Sequence, residues 1–526
     1  GAGMTHPAAT HLSALLDAAA DRWPDREAIV FQDMRLTWRM LAQQVDRLAA
    51  AFMALGIEHG DCIGLQCTTR PEYIITYLAA MRCGAVLAGF NSQYTPLEVS
   101  RLAPLARPVL LVLQADAAAR LQPFLSTLTS VRHLVIIGDA MTHADGVADG
   151  AHLLTDLMTA QAQPGPSAAL AGRQAQLRPD DDALIVFTGG TTGAPKGARL
   201  SHTNIISNIS AQVRHLGFRS TDRIILHLPM NHVSGAVLIT VGAMFSGAAL
   251  IMLERFHPVD TLTLVAQERV TILGQVPTMW IMEFLLPHFA DFDLSSLRMT
   301  IVAGAPTPPT AMRRIASLAP FAVHGYGLTE SAGMVTYTRP TDNADTLVRT
   351  AGRAASEFDV RIVDSAHQTL PPGQIGEIAV RGPCVMKGYV QTPLDNDTAL
   401  DAEGWLYTGD IGRLDEQGYL TVVGRSKEMF ITGGFNVYPA EIEAYLAEHP
   451  KVACCACLGK PDPVMGEVGV AFVLPHPNMP LTVQELRAHC RHGLARYKTP
   501  AEFRISDSLP LTAAGKVDKA ALARLL

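Results

Sequence analysis

Short apolar runs recur along this chain at 109–113 (VLLVL), 134–137 (LVII), 183–187 (ALIVF), 223–228 and 299–303, with helical segments between them. Runs of this length suit strands buried on both faces. Strands that alternate with helices assemble into largely parallel sheets with helices packed on them, which makes the fold class α/β. The clearest helix signature spans 37–55: Thr37 can cap it, Leu41, Val45, Leu48, Phe52 and Leu55 repeat at helical spacing, and Gly56 can end it. CIGLQC at 62–67 reads as a strand and 72–82 as a helix. The segment 138–182 has a weaker pattern and reads as a loop-rich lead-in. After about 350 short strands with turns take over (FDVRIVD, GEIAVRG, GYLTVVG). From 440 a compact pattern begins: helix EIEAYLAEH, strands VACCACLG and VGVAFVLP, helix VQELRAHCRHGLA, strand AEFRISD. A boundary is placed near Gly424–Lys427.

With 526 residues the chain is long enough for several domains. Forty-nine acidic against 42 basic residues give a net charge of −7, and no Lys/Arg-rich run occurs, so nucleic acid is not an expected partner. The eight cysteines show none of the paired C-x-x-C spacings of a zinc site; those of VACCACLG read as core residues, and a reducing cytoplasm is the expected compartment. The N-terminal GAGMTHPAAT has neither a basic region nor an apolar core, so no signal peptide is expected. The apolar stretch 236–253 approaches the length of a membrane span, but Gly242, Ser246 and Gly247 interrupt it. A buried helix followed by a buried strand is expected there.

The stretch FTGGTTGAPKG at 187–197 follows one of the apolar runs. It is not a Walker A loop, because Pro195 precedes its lysine and Gly197 follows it. Its components are still those of a phosphate cradle. Gly189, Gly190 and Gly193 let backbone N–H groups approach an anion, Thr188, Thr191 and Thr192 add hydroxyls, and Lys196 adds positive charge. Alone it supports phosphate binding only, against the alternative of a surface loop between strand and helix.

Five further stretches stand in order with it: GYGLTES at 325–331, GEIAVRGPCVMKGY at 376–389, LYTGDIG at 406–412, GRSKEMFITGGFNVYPAEIE at 424–443 and PLTAAGKVDK at 510–519. Together they resemble the adenylate-forming (acyl-CoA synthetase, AMP-binding) superfamily, of acyl-CoA ligase type. There are two departures. The loop begins Thr-Gly-Gly where the family usually has Thr-Ser-Gly, and Leu511 stands where the last signature usually has arginine.

The resemblance implies a large N-terminal domain at 4–425, of two α/β sheet subdomains plus a β-rich subdomain, and a small mobile α+β C-terminal domain at 426–526. It implies ATP, Mg²⁺ and coenzyme A. The glycine loop would grip the departing phosphates, with Thr329 on the α-phosphate and Glu330, helped by Thr192, holding the metal. Tyr326 would lie against the adenine with Gly304, Ala305 and Pro306 lining the base, Gly325 and Gly327 would be further nucleotide-binding residues, and Asp410 and Arg425 would hold the ribose. Lys516 would bridge the substrate carboxylate and the α-phosphate. Lys427 would be the hinge of a domain rotation, after which Gly433, Gly434 and Phe435 would line the pantetheine tunnel. His232, Val233, Gly235, Ala236, Gly333 and Met334 would form the acyl pocket, His232 beside the reacting carboxylate or merely packed.

No Asp stands in that pocket to take an amino group, and no Arg or Lys to pair a second carboxylate. An apolar acid is therefore expected, whether fatty, alicyclic or aromatic. The leading function is an acid–CoA ligase; the rival, within the same chemistry, loads a carrier-protein pantetheine. A homodimer is admitted, and no membrane span is expected. A non-catalytic nucleotide-binding module would have lost Lys516, Glu330 or Asp410, and all three are present.

Overall fold

The structure, a computed structural model, describes residues 10–138, 150–161, 167–188, 195–304, 307–391, 399–433 and 435–526. It has a large N-terminal α/β domain, a small C-terminal domain and mixed sheets. By internal packing the chain divides into two units: Gly1–Phe256 with Thr329–Gly333 and Pro383–Leu400, and His257–Leu328 with Met334–Gly382 and Asp401–Leu526.

The first unit holds an eight-stranded sheet in the order Gly388–Tyr389, Lys196–Ser201, Asp182–Thr188, Val86–Phe90, Cys62–Gln66, Leu110–Gln114, His133–Ile137 and His152–Leu153. Its inner strands are parallel. Cys62–Gln66 and Val86–Phe90 are buried along their whole length, as helices on both faces require. Lys196–Ser201 runs antiparallel to Asp182–Thr188. The glycine stretch therefore connects strand to strand, not strand to helix. Helix Trp38–Ala54 starts where expected: the Thr37 hydroxyl accepts the Met40 N–H.

The 236–253 stretch is a helix followed by a strand, in a form the sequence did not announce. A π-helical segment Ser234–Ile239 leads into α-helix Thr240–Ser246, and strand Ala249–Met252 follows. Gly242 does not interrupt the helix; a Cβ there would sit 2.9 Å from the Phe218 ring, so glycine admits the ring. Gly247, at φ +75°, ends it. Among the described residues no helix is long and apolar enough to cross a membrane. The lead-in segment is more regular than expected, with helices Leu154–Ala160 and Ala168–Gln174.

In the second unit Ile272–Gln275, Met299–Val302 and Phe321–Leu328 are parallel neighbours. Four antiparallel strands follow in the order Asp359–Val363, Gly376–Arg381, Leu406–Leu414, Leu420–Arg425. The small C-terminal sheet orders Phe435–Val437, Phe430–Thr432, Gly466–Pro475 and Val452–Asp462, with Glu502–Ile505 parallel to Gly466–Pro475. Helices Pro439–Ala447 and Val483–Gly493 accompany it. Cys457 lies in its core, and Cys454 and Cys455 are partly buried; all three are free thiols.

Helix Pro277–Phe284 carries a fully buried acid, Glu283, whose Oε1 accepts a hydrogen bond from Gln275 Nε2 at 2.6 Å. Burial pushes its carboxyl well above the usual range. A folded pKa above the unfolded one gives a contribution that is complete below the unfolded pKa and lost as pH rises toward the folded one. Glu283→Gln keeps the acceptor and never ionises. Its melting temperature is expected to match or exceed the parent's at about pH 8 and to lose that advantage near about pH 4. Scanning fluorimetry across pH checks this, and an advantage that grew on acidification would refute it.

Candidate active site

Four residues far apart in sequence meet in the second unit. Asp410, on strand Leu406–Leu414, stands directly across from Arg425 on strand Leu420–Arg425. The Arg425 Nε lies 3.8 Å from one Asp410 oxygen. The Tyr326 hydroxyl, from strand Phe321–Leu328, donates to the other at 2.6 Å. Gly409, next to Asp410 within that strand, has φ +75° at a register shift against strand Gly376–Arg381, a conformation in which a side chain would be strained. Burial raises the Asp410 carboxyl, opposed by the Tyr326 hydroxyl and by the charges of Arg425 and Lys516.

Lys516 sits on a tight loop. Its N–H donates to the Thr512 hydroxyl at 3.2 Å, Thr512 N–H to the Lys516 carbonyl at 2.6 Å, and Asp518 N–H to the Pro510 carbonyl at 2.8 Å. The Thr278 hydroxyl donates to the Gly515 carbonyl, which docks the loop on helix Pro277–Phe284. Gly515 has φ +83°, and a Cβ there would sit 3.0 Å from the Met279 methyl. Lys516 Cε would lie 3.8 Å from a Cβ placed on Gly304.

Burial, then the Arg425 charge, lowers Lys516 to about 8, while Asp410 and Glu428 pull the other way. The cation is therefore present below about pH 8 and lost above it. Because kcat/KM reports the free enzyme, kcat/KM for the acid in adenylation is expected to fall above about pH 8. A profile flat to about pH 10, where an ordinary lysine titrates, would contradict this.

The stem of the glycine stretch is a hairpin. Thr188 and Lys196 pair across it, the Thr188 hydroxyl donates to the Lys196 carbonyl at 3.4 Å, and the Lys196 ammonium lies 4.8 Å from the Tyr389 ring centre. Gly189, Gly190, Thr191, Thr192 and Gly193 lie outside the described residues, as do Ala305, Pro306 and Gly434. Thr329 and Glu330 are partly buried on the 3₁₀ turn Thr329–Ser331. Met386 N–H donates to the Glu330 carbonyl at 2.8 Å, and Asn208 Nδ2 to the Ser331 carbonyl at 2.9 Å. Ala332, fully buried, holds φ +62°, a strained value for a non-glycine residue, and nothing in the sequence signals it.

Gly325 and Gly327 flank Tyr326 on its strand; a Cβ at Gly325 would overlap Met334. At Gly333 a Cβ would lie 3.1 Å from Asn208 Oδ1. His232 and Val233 are partly buried just before the π-helical segment, and Gly235 and Ala236 are buried within it. Such π segments concentrate at functional sites. Among the described residues no group of three or more His, Cys, Asp or Glu is placed to hold a metal. A lone carboxylate such as that of Glu330 is a hard oxygen donor of the kind that suits Mg²⁺, which binds through one or two carboxylates and substrate phosphates.

Lys427 is exposed in the turn after Arg425. Gly433 has φ +54°, and Phe435, 54% exposed, stacks on Tyr497 at 4.4 Å. Sequence reasoning assigned nothing to Thr278, nor to an ion cluster of Lys519, Glu428 and Glu443. Lys519 stands in the quoted KVDK, but a lysine's partners lie on other elements and have no sequence signal.

Residues 16–390 match the family described as AMP-binding enzyme, and residues 441–516 match the AMP-binding enzyme C-terminal domain. The chain is 37% identical to 3-[(3aS,4S,7aS)-7a-methyl-1,5-dioxo-octahydro-1H-inden-4-yl]propanoyl:CoA ligase of Mycobacterium tuberculosis, over 97% of this chain and 98% of the relative. It is 34% identical to indoleacetate–CoA ligase of Aromatoleum aromaticum, over 97% and 96%. Among solved structures it is similar to the anthranilate CoA ligase AuaEII in complex with anthranoyl-AMP, with TM-score 0.89, 25% identity and 99% of both chains covered. ATP-bound MatB of Rhodopseudomonas palustris aligns with TM-score 0.83 and 28% identity over 98% of both.

Proposed function

The chain belongs to the AMP-binding enzyme family, and from that premise we propose that it joins an apolar carboxylic acid to coenzyme A by way of an acyl-adenylate. The class of activity is that of an AMP-forming, ATP-dependent acyl-CoA synthetase. The observation that carries the residue assignment is the convergence of Tyr326, Asp410, Arg425 and Lys516, drawn from four separate stretches of the second unit.

In the first half-reaction the acid's carboxylate attacks the α-phosphorus of ATP and pyrophosphate leaves. Asp410 accepts hydrogen bonds from the ribose hydroxyls, with Arg425 beside it and Tyr326 against the adenine. Gly304, Ala305 and Pro306 line the base. Lys516 places its ammonium between two anions that otherwise repel, where charge builds in the transition state. Thr188, Lys196 and the glycine stretch hold the β- and γ-phosphates, and Thr329 the α-phosphate. When bound, Mg²⁺ supplies neutralising charge to the phosphate oxygens, held by Glu330 and Thr192.

In the second half-reaction a thiol attacks the acyl carbon. Lys427 is the hinge about which the domain 426–526 turns away from 4–425, and Gly433, Gly434 and Phe435 then line the thiol's path. Small residues Gly235, Ala236 and Gly333, with Val233, Met334 and His232, form the acyl pocket. The relatives' bicyclic and indole acids support an alicyclic or aromatic substrate over an amino acid.

The test is pyrophosphate release from Mg-ATP over a panel of fatty, alicyclic and aromatic acids, with and without CoA. Release with at least one apolar acid, and thioester formation that depends on free CoA, are expected. No release with any acid ends the reading. Thioester formed only on a carrier-protein pantetheine favours the rival.

A further inference from the structure

Lys519 opens the short helix Lys519–Ala523, in the same signature as Lys516. Its ammonium donates to Glu443 Oε1 at 2.8 Å and to Glu428 Oε2 at 3.1 Å. Glu443 projects from helix Pro439–Ala447, and Glu428 sits in the turn beside Lys427. One ammonium therefore ties together the C-terminal tail, a helix of the small domain and the turn at the hinge. The cluster is largely withdrawn from water, with side-chain exposures of 18% for Lys519, 26% for Glu428 and 20% for Glu443.

Two carboxylates around one ammonium leave an excess negative charge. Glu428 also acts on the neighbouring groups, raising the proton affinity of both Lys516 and Asp410. A partly buried carboxylate that loses its partner is left uncompensated, and its charge then acts on the other cations within reach. Lys516, on the same tail and already under the influence of the Glu428 charge, is one such cation. If Glu428 captured it, its ammonium would be neutralised and drawn away from the reacting anions.

We propose that Lys519 is a positioning residue for adenylation: clamped by Glu443, it holds Glu428 off Lys516 and fixes the Lys516 loop to the turn at the hinge. The inference rests on the role given to Lys516 above. It assigns Lys519 no contact with substrate.

The two half-reactions, measured separately, test it: acid-dependent pyrophosphate release, and thioester formation from supplied acyl-AMP and CoA. Lys519→Met is expected to slow pyrophosphate release about tenfold or more, within the range of couplings in a shared ion network, while thioester formation stays near the parent's. Lys519→Arg should retain most of both. Adding Glu428→Gln to Lys519→Met should restore pyrophosphate release, because the carboxylate that captures Lys516 is gone. Undiminished release in Lys519→Met, or loss of both halves without recovery in the double variant, would overturn the proposal.

Should Lys519→Met not accumulate as folded protein, Glu428→Gln alone decides the matter. The charges facing Lys516 are Arg425, Asp410 and Glu428. Neutralising Glu428 should move the alkaline limb of pyrophosphate release to lower pH, and an unmoved limb would refute its hold on Lys516. Lys516→Ala run alongside separates the two levels. If that variant still adenylates, the reading of Lys516 fails; if only the Lys519 variants behave as the parent does, that reading stands and this inference falls.

Discussion

Lys516→Ala is expected to slow acyl-adenylate formation by at least about 10²–10³-fold, the size of loss seen when one preorganised transition-state contact is removed. Thioester formation from supplied acyl-AMP should stay near the parental rate. The asymmetry follows from where the lysine works. In the proposed reaction its charge is needed where a carboxylate meets a phosphate, and burial beside Gly304 would strengthen that charge's effect. Attack by a thiol on an acyl-adenylate brings no such pair of anions together. Rapid-quench measurement of each half-reaction checks this, and equal loss in both halves would contradict the two-pose assignment.

Gly352→Ala should cost the fold. Gly352 has φ +76°, and a Cβ there would overlap the Tyr337 carbonyl and the Thr338 nitrogen, backbone atoms that cannot swing aside. The neighbouring chain is fixed by two hydrogen bonds, Ala351 N–H to the Leu420 carbonyl and Leu420 N–H to the Gly352 carbonyl, both 2.8 Å. The left-handed backbone costs a non-glycine residue about 1–2 kcal/mol, and overpacking adds about 1–3 kcal/mol. Loss of soluble protein, or a melting temperature lower by several degrees, is expected. Any surviving enzyme should be impaired in both half-reactions alike, unlike Lys516→Ala. A variant with the parental melting temperature would show that the strands shift without penalty.

Much of the site was legible because its chemistry is local in sequence. A glycine stretch, an aspartate after Thr-Gly and a lysine after Ala-Gly each announce themselves within a few residues. So did the parallel strands, whose apolar runs record burial on two faces, and helix Trp38–Ala54, with a cap and a 3.6-residue period. The hairpin stem of the glycine stretch was not legible: KGARLS has no turn chemistry that distinguishes a strand partner from a helix start. The π-helical entry at 234–239 depends on the Thr240 hydroxyl donating to the Gly235 carbonyl at 2.7 Å, and on a close pass of Gly235 by the Pro229 carbonyl. Neither has a periodic trace.

The sequence by itself determined the α/β class, the order of the motifs and which side chains are available to bring charge to a phosphate. These depend on short-range pattern and on residue type. Only the tertiary structure decided which charges neutralise one another. Asp410 meets Tyr326 and Arg425 through strand register, and Lys519 takes Glu428 and Glu443 rather than leaving Glu428 to Lys516. Coulomb energy depends on distance and burial, and both are fixed by elements that the sequence places far apart.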